Sequence, residues 1–143
     1  YNLKSFSINV LDKRRTIVEK LVSLFRFSFE TDTIKSLSSK IRHFYDLYYL
    51  INDDECSDYI QSADFGEDFQ ELFIHDQQLF SEPDGWCTKT VKDSPLFKDF
   101  SGIWSKLSPN YQKELVPLAF SEIPNEMLIA ENFIKVLNNL LIQ

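Results

Sequence analysis

Glycine and proline are scarce in this sequence. Its 143 residues include only three glycines and five prolines, which are too few for the many tight turns that connect the strands of an all-β domain. The 43% share of hydrophobic residues and the 13 phenylalanines are enough to build one well-packed core. This composition favours a mainly α fold in one globular domain.

The sequence also lacks a long apolar run and a cysteine cluster. No stretch approaches the roughly 18 apolar residues that a membrane-spanning helix needs, and no signal-peptide pattern opens the chain. Cys56 and Cys87 have neither the spacing nor the further partners of a metal site, which favours reduced thiols over the alternative of a disulfide. We therefore expect a cytoplasmic protein that does not interact with a membrane.

Positive charge is missing from the middle of the chain. Residues 51–87 hold eleven Asp and Glu and no Lys or Arg, whereas residues 1–50 hold nine Lys and Arg against five acids. The formal net charge of −7 argues against nucleic-acid binding over the whole surface. An anion-binding surface is therefore expected in the first third, and the acidic middle is expected to be a solvated face.

Residues 5–11 alternate between apolar and polar side chains, as a half-buried strand does. No second convincing strand follows, and a lone strand is not stable by itself. The strand would either lie extended across the helices or belong to a sheet whose other strands are outside this chain. We favour the second explanation.

A first helix is predicted after this strand. Thr16 and Glu19 have the spacing of a capping box at a helix start, and residues 17–25 repeat apolar side chains at helical spacing. Lys20 lies beside this apolar face, where a lysine can simply extend into solvent.

A second helix is predicted over about residues 33–52, although serines weaken its first half. Its segment 41–50 carries Arg42, His43 and Asp46 at the rim of an apolar stripe, where charges must be paired or used on a ligand. A purely structural alternative is an internal Arg42–Asp46 pair. The stripe is formed by Ile41, Phe44, Tyr45, Tyr48 and Ile51.

A short connection between the two helices favours antiparallel packing, which would bring Lys20 near Arg42 and Asp46. Such a cluster can supply a cation and a carboxylate to phosphate chemistry. Tyr45, Tyr48 and Tyr49 can stack on a base, although aromatic side chains on such a stripe are more often part of a core.

The segments 16–26 and 41–50 together resemble the third and fourth motifs of the AbiEii/AbiGii toxin family of nucleotidyltransferases. These bacterial enzymes are related to DNA polymerase β in their catalytic domain and are often paired with an antitoxin. The segments read TIVEKLVSLFR and IRHFYDLYYL.

The resemblance assigns roles residue by residue. The third motif centres on a Glu-Lys pair, matched by Glu19 and Lys20, with Arg26 following. The fourth motif has an Arg and then an Asp flanked by Tyr and Leu, matched by Arg42 and Asp46. It implies that Lys20 and Asp46 are catalytic. It implies that Arg42, Arg26 and Glu19 bind the nucleotide and its phosphates.

Two further motifs of that family are absent. The sequence has no Asp-x-Asp to hold a divalent metal, only the adjacent Asp53 and Asp54, and none of its three glycines stands in a phosphate-gripping turn. We therefore predict no metal site in this chain and no activity from this piece alone. By resemblance, residues 1–12 are a strand and linker from a missing nucleotidyltransferase domain, and residues 13–143 are a helical C-terminal domain.

The sequence thus predicts a helical, bundle-like domain of five to seven helices with one short N-terminal strand. The whole enzyme would transfer a nucleotide from an NTP, with Mg²⁺ held by the missing domain, to an RNA or protein acceptor. The implied partners are the NTP, an acceptor such as tRNA, and a cognate antitoxin. The alternatives are a non-catalytic helical module for protein–protein interaction and a tRNA-binding helical domain, for which RNA binding would depend steeply on salt.

Overall fold

The computed structural model describes residues 10–115, 117 and 124–141. These residues form eight α-helices and contain no strand. Two short 3-10 helices, Trp86–Thr88 and Val91–Asp93, lie between the fifth and sixth α-helices. The α-helices are α1 (Val10–Ser28), α2 (Thr33–Ser38), α3 (Ile41–Ile51), α4 (Ser57–Ile60), α5 (Ala63–Leu79), α6 (Pro95–Lys98), α7 (Phe100–Leu115) and α8 (Glu126–Leu141).

This architecture confirms the predicted mainly α fold. The described residues contain more helices than the five to seven expected, because α4 and α6 are separate turns of four residues each. The six longer helices carry the architecture.

The first helix begins earlier than the sequence pattern predicts. Because α1 starts at Val10, the predicted strand is wrong at residues 10 and 11, and its residues 5–9 lie outside the described part of the chain. Thr16 is internal to α1, so the predicted helix start there is also wrong. Val10 stands seven residues before Ile17, a spacing that fits helical continuation as well as it fits a strand. α1 crosses the predicted boundary at residue 12, and a preceding domain stays a prediction.

The second predicted helix is divided into two. α2 ends at Ser38 and α3 begins at Ile41, since the serine-rich stretch between them has low helix propensity. The Asp32 side chain caps α2 by accepting a hydrogen bond from the backbone N–H of Lys35 at 3.1 Å.

α1 and α3 pack against each other at the centre of the domain. α1 contacts α2, α3 and α5, and α3 also contacts α7 and α8. Both helices bury aliphatic and aromatic residues at helical spacing, so their contact is sealed from water. The buried residues are Ile17, Val18, Leu21, Val22, Leu24 and Phe25 on α1, and Ile41, Phe44, Leu47 and Ile51 on α3.

Phe44 lies at the centre of an aromatic cluster that joins three helices. Its ring centroid lies 5.2 Å from Trp104 of α7 and 5.1 Å from Phe133 of α8. Phe100 stacks on Phe133 at 4.7 Å. These contacts fix α3 against α7 and α8, so the side chains on the opposite face of α3 are held in defined positions.

Among the described residues, no helix is long and apolar enough to cross a membrane. Both cysteines are free; Cys56 is buried and Cys87 is exposed.

We expect Phe44→Ala to lower the free energy of unfolding by about 3–5 kcal/mol, because it opens a cavity where three helices meet. Leu79→Ala is the matched control: Leu79 is 62% exposed, so its truncation should change stability by less than about 0.5 kcal/mol. Urea unfolding followed by circular dichroism measures both. Equal losses in the two variants would contradict the assignment of this core.

Candidate functional site

Lys20 and Asp46 meet where α1 packs on α3. Lys20 Nζ lies 3.0 Å from Asp46 Oδ2, and the two side chains keep 25% and 41% of their surface exposed. Each stands at the edge of a buried face, since Lys20 precedes buried Leu21 and Asp46 precedes buried Leu47. The structure thus brings together the two residues predicted to be catalytic. A pair this exposed adds no more than about 1 kcal/mol to stability.

Arg42 lies one helical turn before Asp46 and is exposed. The internal Arg42–Asp46 pair considered as a structural alternative is not formed, because Asp46 pairs with Lys20 instead. Over the described residues Arg42 makes no ion pair. Its guanidinium is therefore free to bind an external anion.

His43 is the group near this pair that the sequence assignments left out. Burial and the positive charges of Lys20 and Lys40 together lower the pKa of its imidazole to about 4, against the opposing effect of Asp46. His43 is therefore uncharged at neutral pH. Its position three residues before Asp46 is visible in the sequence, but its burial and the approach of Lys20 depend on how α1 packs.

The other two predicted ligands of the nucleotide and its phosphates, Arg26 and Glu19, have other partners. Arg26 Nε donates to the backbone oxygen of Glu82 at 2.9 Å, and its guanidinium lies 4.0 Å from the ring centroid of Phe80. Glu19 pairs with Arg15 at 3.2 Å on the exposed side of α1. The structure therefore engages Arg26 and Glu19 elsewhere than in the Lys20–Asp46 pair.

Three tyrosines of α3 lie around and beyond Asp46. Tyr49 is 48% exposed, and its ring makes edge contacts with Tyr45 at 5.0 Å and with Tyr48 at 5.4 Å between centroids. Tyr45 and Tyr48 are partly buried against the core. The sequence interpretation places Tyr45 and Tyr48 on the apolar stripe, and both pack against the core. Tyr49, which is not on that stripe, is exposed.

The residues that the structure describes do not fit a divalent metal. In residues 10–115, 117 and 124–141, no group of three or more His, Cys, Asp and Glu side chains is placed to hold one. Asp53 and Glu55, which follow the C-terminal end of α3, both accept hydrogen bonds from Lys13 at 3.0 Å. The hydrogen bond from Lys13 lowers the pKa of Asp53. These carboxylates are neutralised by a lysine, so they offer little to Mg²⁺.

We expect His43 to titrate near pH 4 in the folded chain, far below its ordinary value of 6.5. Lys20→Met should raise this pKa because it removes a neighbouring positive charge, whereas Lys13→Met should leave it unchanged. Two-dimensional NMR of the imidazole resonances measures the pKa. A value at or above 6.5 in the native chain would contradict the burial of His43.

The same shift predicts how stability depends on pH. The imidazole of His43 binds a proton near pH 6.5 in the unfolded chain and only near pH 4 in the folded chain. The contribution of neutral His43 to the free energy of unfolding is therefore fully present above pH 6.5 and is lost as pH falls towards 4. We expect His43→Gln to lose less stability than the native chain across that window, measured by urea unfolding at each pH. If the free energies of unfolding of the two proteins fall equally between pH 6.5 and pH 4, the low pKa of His43 in the folded chain is contradicted.

Comparison with known families confirms the resemblance to the AbiEii family. The model of the family described as nucleotidyl transferase AbiEii toxin, type IV TA system, matches residues 2–131, which include both motif segments. Comparison with curated proteins and with solved structures gave no match. The family match spans nearly the whole chain. The chain therefore belongs to the AbiEii nucleotidyl transferase toxin family of type IV toxin–antitoxin systems.

Proposed function

We propose that this chain is the helical part of a nucleotidyltransferase toxin and that its Lys20–Asp46 pair lines the site of transfer. The observation that carries the proposal is the 3.0 Å contact between these side chains. They come from two separate motifs of the family, and the fold joins them at an accessible rim rather than in the core.

The energetics support a functional role for the pair. An ion pair this exposed stabilises a fold by no more than about 1 kcal/mol, and the buried faces of α1 and α3 already hold the two helices together. The pair is therefore dispensable for folding. A lysine that a carboxylate holds in a fixed position can, in contrast, stabilise the negative charge that develops on a phosphate during nucleotidyl transfer.

Lys20 and Arg42 would bind the phosphates of the NTP. In nucleotidyl transfer a hydroxyl oxygen of the acceptor attacks the α-phosphorus, an O–P bond forms, and the bond to the leaving pyrophosphate breaks. The ammonium of Lys20 would stabilise the negative charge on the phosphate oxygens. Asp46 would hold Lys20 in place or accept the proton of the attacking hydroxyl.

The metal ligands would come from elsewhere in the enzyme. The family's chemistry uses Mg²⁺ with the NTP, and neither the sequence nor the described carboxylates of this chain provide a site for it. We propose that a domain with an Asp-x-Asp motif supplies the metal site and that residues 1–143 alone do not transfer nucleotides. The strand predicted at residues 5–11 and the domain boundary at residue 12 belong to this proposal.

The wider assignments follow from membership of a toxin–antitoxin family. We propose an NTP as donor, an RNA such as tRNA or a protein as acceptor, a cognate antitoxin as regulator, and the bacterial cytoplasm as the location. Arg26 and Glu19 have a smaller part in this scheme than the resemblance implied, because both are engaged by other residues of the chain.

We expect Asp46→Asn and Lys20→Met each to lower nucleotidyl transfer by at least about 100-fold, because each removes a group that acts on the reacting phosphate or the attacking hydroxyl. The free energy of unfolding should fall by no more than about 1 kcal/mol. Transfer is measured with the toxin as its own gene encodes it, as incorporation of label from an α-labelled NTP.

Asp53→Asn is the matched control, because it removes a carboxylate that also lies 3.0 Å from a lysine of α1. This variant should keep full activity. If Asp46→Asn unfolds the chain, or folds and transfers normally, the pair is structural or irrelevant. A helical interaction module then becomes the better interpretation.

A further inference from the structure

The two faces of α3 differ in composition. The inward face is apolar and buried, as described above. The outward face carries Arg42, Asp46 and Tyr49 at the i, i+4 and i+7 positions of one helical stripe, and the half-buried Tyr45 lies at i+3 along the edge of this stripe. A free cation, the proposed catalytic carboxylate and one aromatic ring therefore follow one another along a single strip of surface, with a second ring at its edge.

The aromatic end of this strip is exposed but well supported. Tyr49 leaves 48% of its surface in solvent, while edge contacts with Tyr45 and Tyr48 fix the position of its ring. Behind the rings, Asn52 Nδ2 donates to Tyr48 O at 2.7 Å and to Asn132 Oδ1 of α8 at 2.8 Å. The C-terminal end of α3 is thereby tied to the bundle, and the ring of Tyr49 is presented on a rigid element.

We propose that Tyr49, supported by Tyr45, is a stacking platform for the nucleobase of a ligand whose phosphates lie at Lys20 and Arg42. This inference rests on the proposed function and adds the recognition of the base to it. Stacking on tyrosine accepts any base, because every base has a π-face. The base belongs either to the incoming NTP or to the end of an RNA acceptor.

The neighbouring charges favour a nucleotide as the occupant. Arg42 lies seven residues before Tyr49, about 10 Å along the helix axis, so a phosphate held by Arg42 leaves its base close to the rings. Phe80 also has a cation at its ring, but Arg26 lies against that ring and donates to the backbone oxygen of Glu82, so this cation is already engaged. α5 exposes Ile74 and Leu79, yet its residues 63–79 include no Lys or Arg. Cation and ring together are the usual components of a single-stranded nucleic-acid site.

The test measures the affinity of the full chain by calorimetry for three kinds of probe: each of the four NTPs, a short single-stranded oligoadenylate, and inorganic tripolyphosphate. Tyr49→Ala and Tyr49→Leu should weaken binding of the base-bearing probes by at least about fivefold, the lower end of the effect of removing one stacking ring. Tripolyphosphate, which has no base, should bind both variants as it binds the native chain.

Three controls separate stacking from other effects. Tyr49→Phe and Tyr49→Trp retain an aromatic face and should keep the native affinity. Ile74→Ala removes an equally exposed apolar side chain on α5 and should change nothing. Arg42→Ala should weaken all three kinds of probe and reduce the salt dependence of binding, whereas Tyr49→Ala should leave the salt dependence unaltered.

Each outcome decides the question. Loss of NTP affinity alone in Tyr49→Ala assigns the base to the donor, loss of oligoadenylate affinity alone assigns it to an acceptor, and loss of both shows that the ring stacks on either base; each result supports the platform. If Tyr49→Ala binds like the native chain while Arg42→Ala is weakened, the platform is overturned and the phosphate role of Arg42 stands. If no probe binds the native chain, the platform is overturned, and the proposed phosphate roles of Lys20 and Arg42 in this chain fail with it.

Discussion

The packing of α1 against α3 is the interaction on which the candidate site depends. Burial of aliphatic side chains supplies most of the free energy that holds two helices together, at about 25 cal/mol per Å² of apolar surface removed from water. An ion pair as exposed as Lys20–Asp46 contributes far less. The apolar contact therefore positions the charges, and the charges are left free for chemistry. The Lys20–Asp46 pair thus differs from a salt bridge whose main role is to stabilise the fold.

Much of this arrangement could be predicted from sequence because it is local. The buried face of α3, the weak serine-rich stretch before it and the approach of Lys20 to Asp46 follow from helical spacing and a short connection. The start of α1 could not be placed in this way. The alternation around Val10 and the Thr16–Glu19 spacing are valid local signals for a strand and a cap, yet α1 begins at Val10 and runs through both. Val10 and Ile17 also fit the helical period, so the local pattern is ambiguous.

The features that sequence reasoning missed depend on distant residues. Arg26 was assigned to phosphate by its place after the third motif, but its ring and carbonyl partners, Phe80 and Glu82, come more than fifty residues later in the chain. The low pKa of His43 likewise depends on burial and on Lys20, which belongs to another helix. The division between a partly buried Tyr48 and an exposed Tyr49 depends on how α3 packs against the rest of the bundle, including α7 and α8. No spacing rule contains this information.

The two-faced character of α3 limits how this helix can change in length. Successive residues in an α-helix are rotated by about 100°, so one residue inserted between Arg42 and Tyr49 would put the two ends of the outward strip out of phase. It would also turn part of the buried face towards water. The segments before Ile41 and after Ile51 carry no such double constraint. Insertions and deletions should therefore be tolerated at both ends of α3 and excluded from its middle. The length of this helical segment thus sets the distance between the guanidinium of Arg42 and the ring of Tyr49.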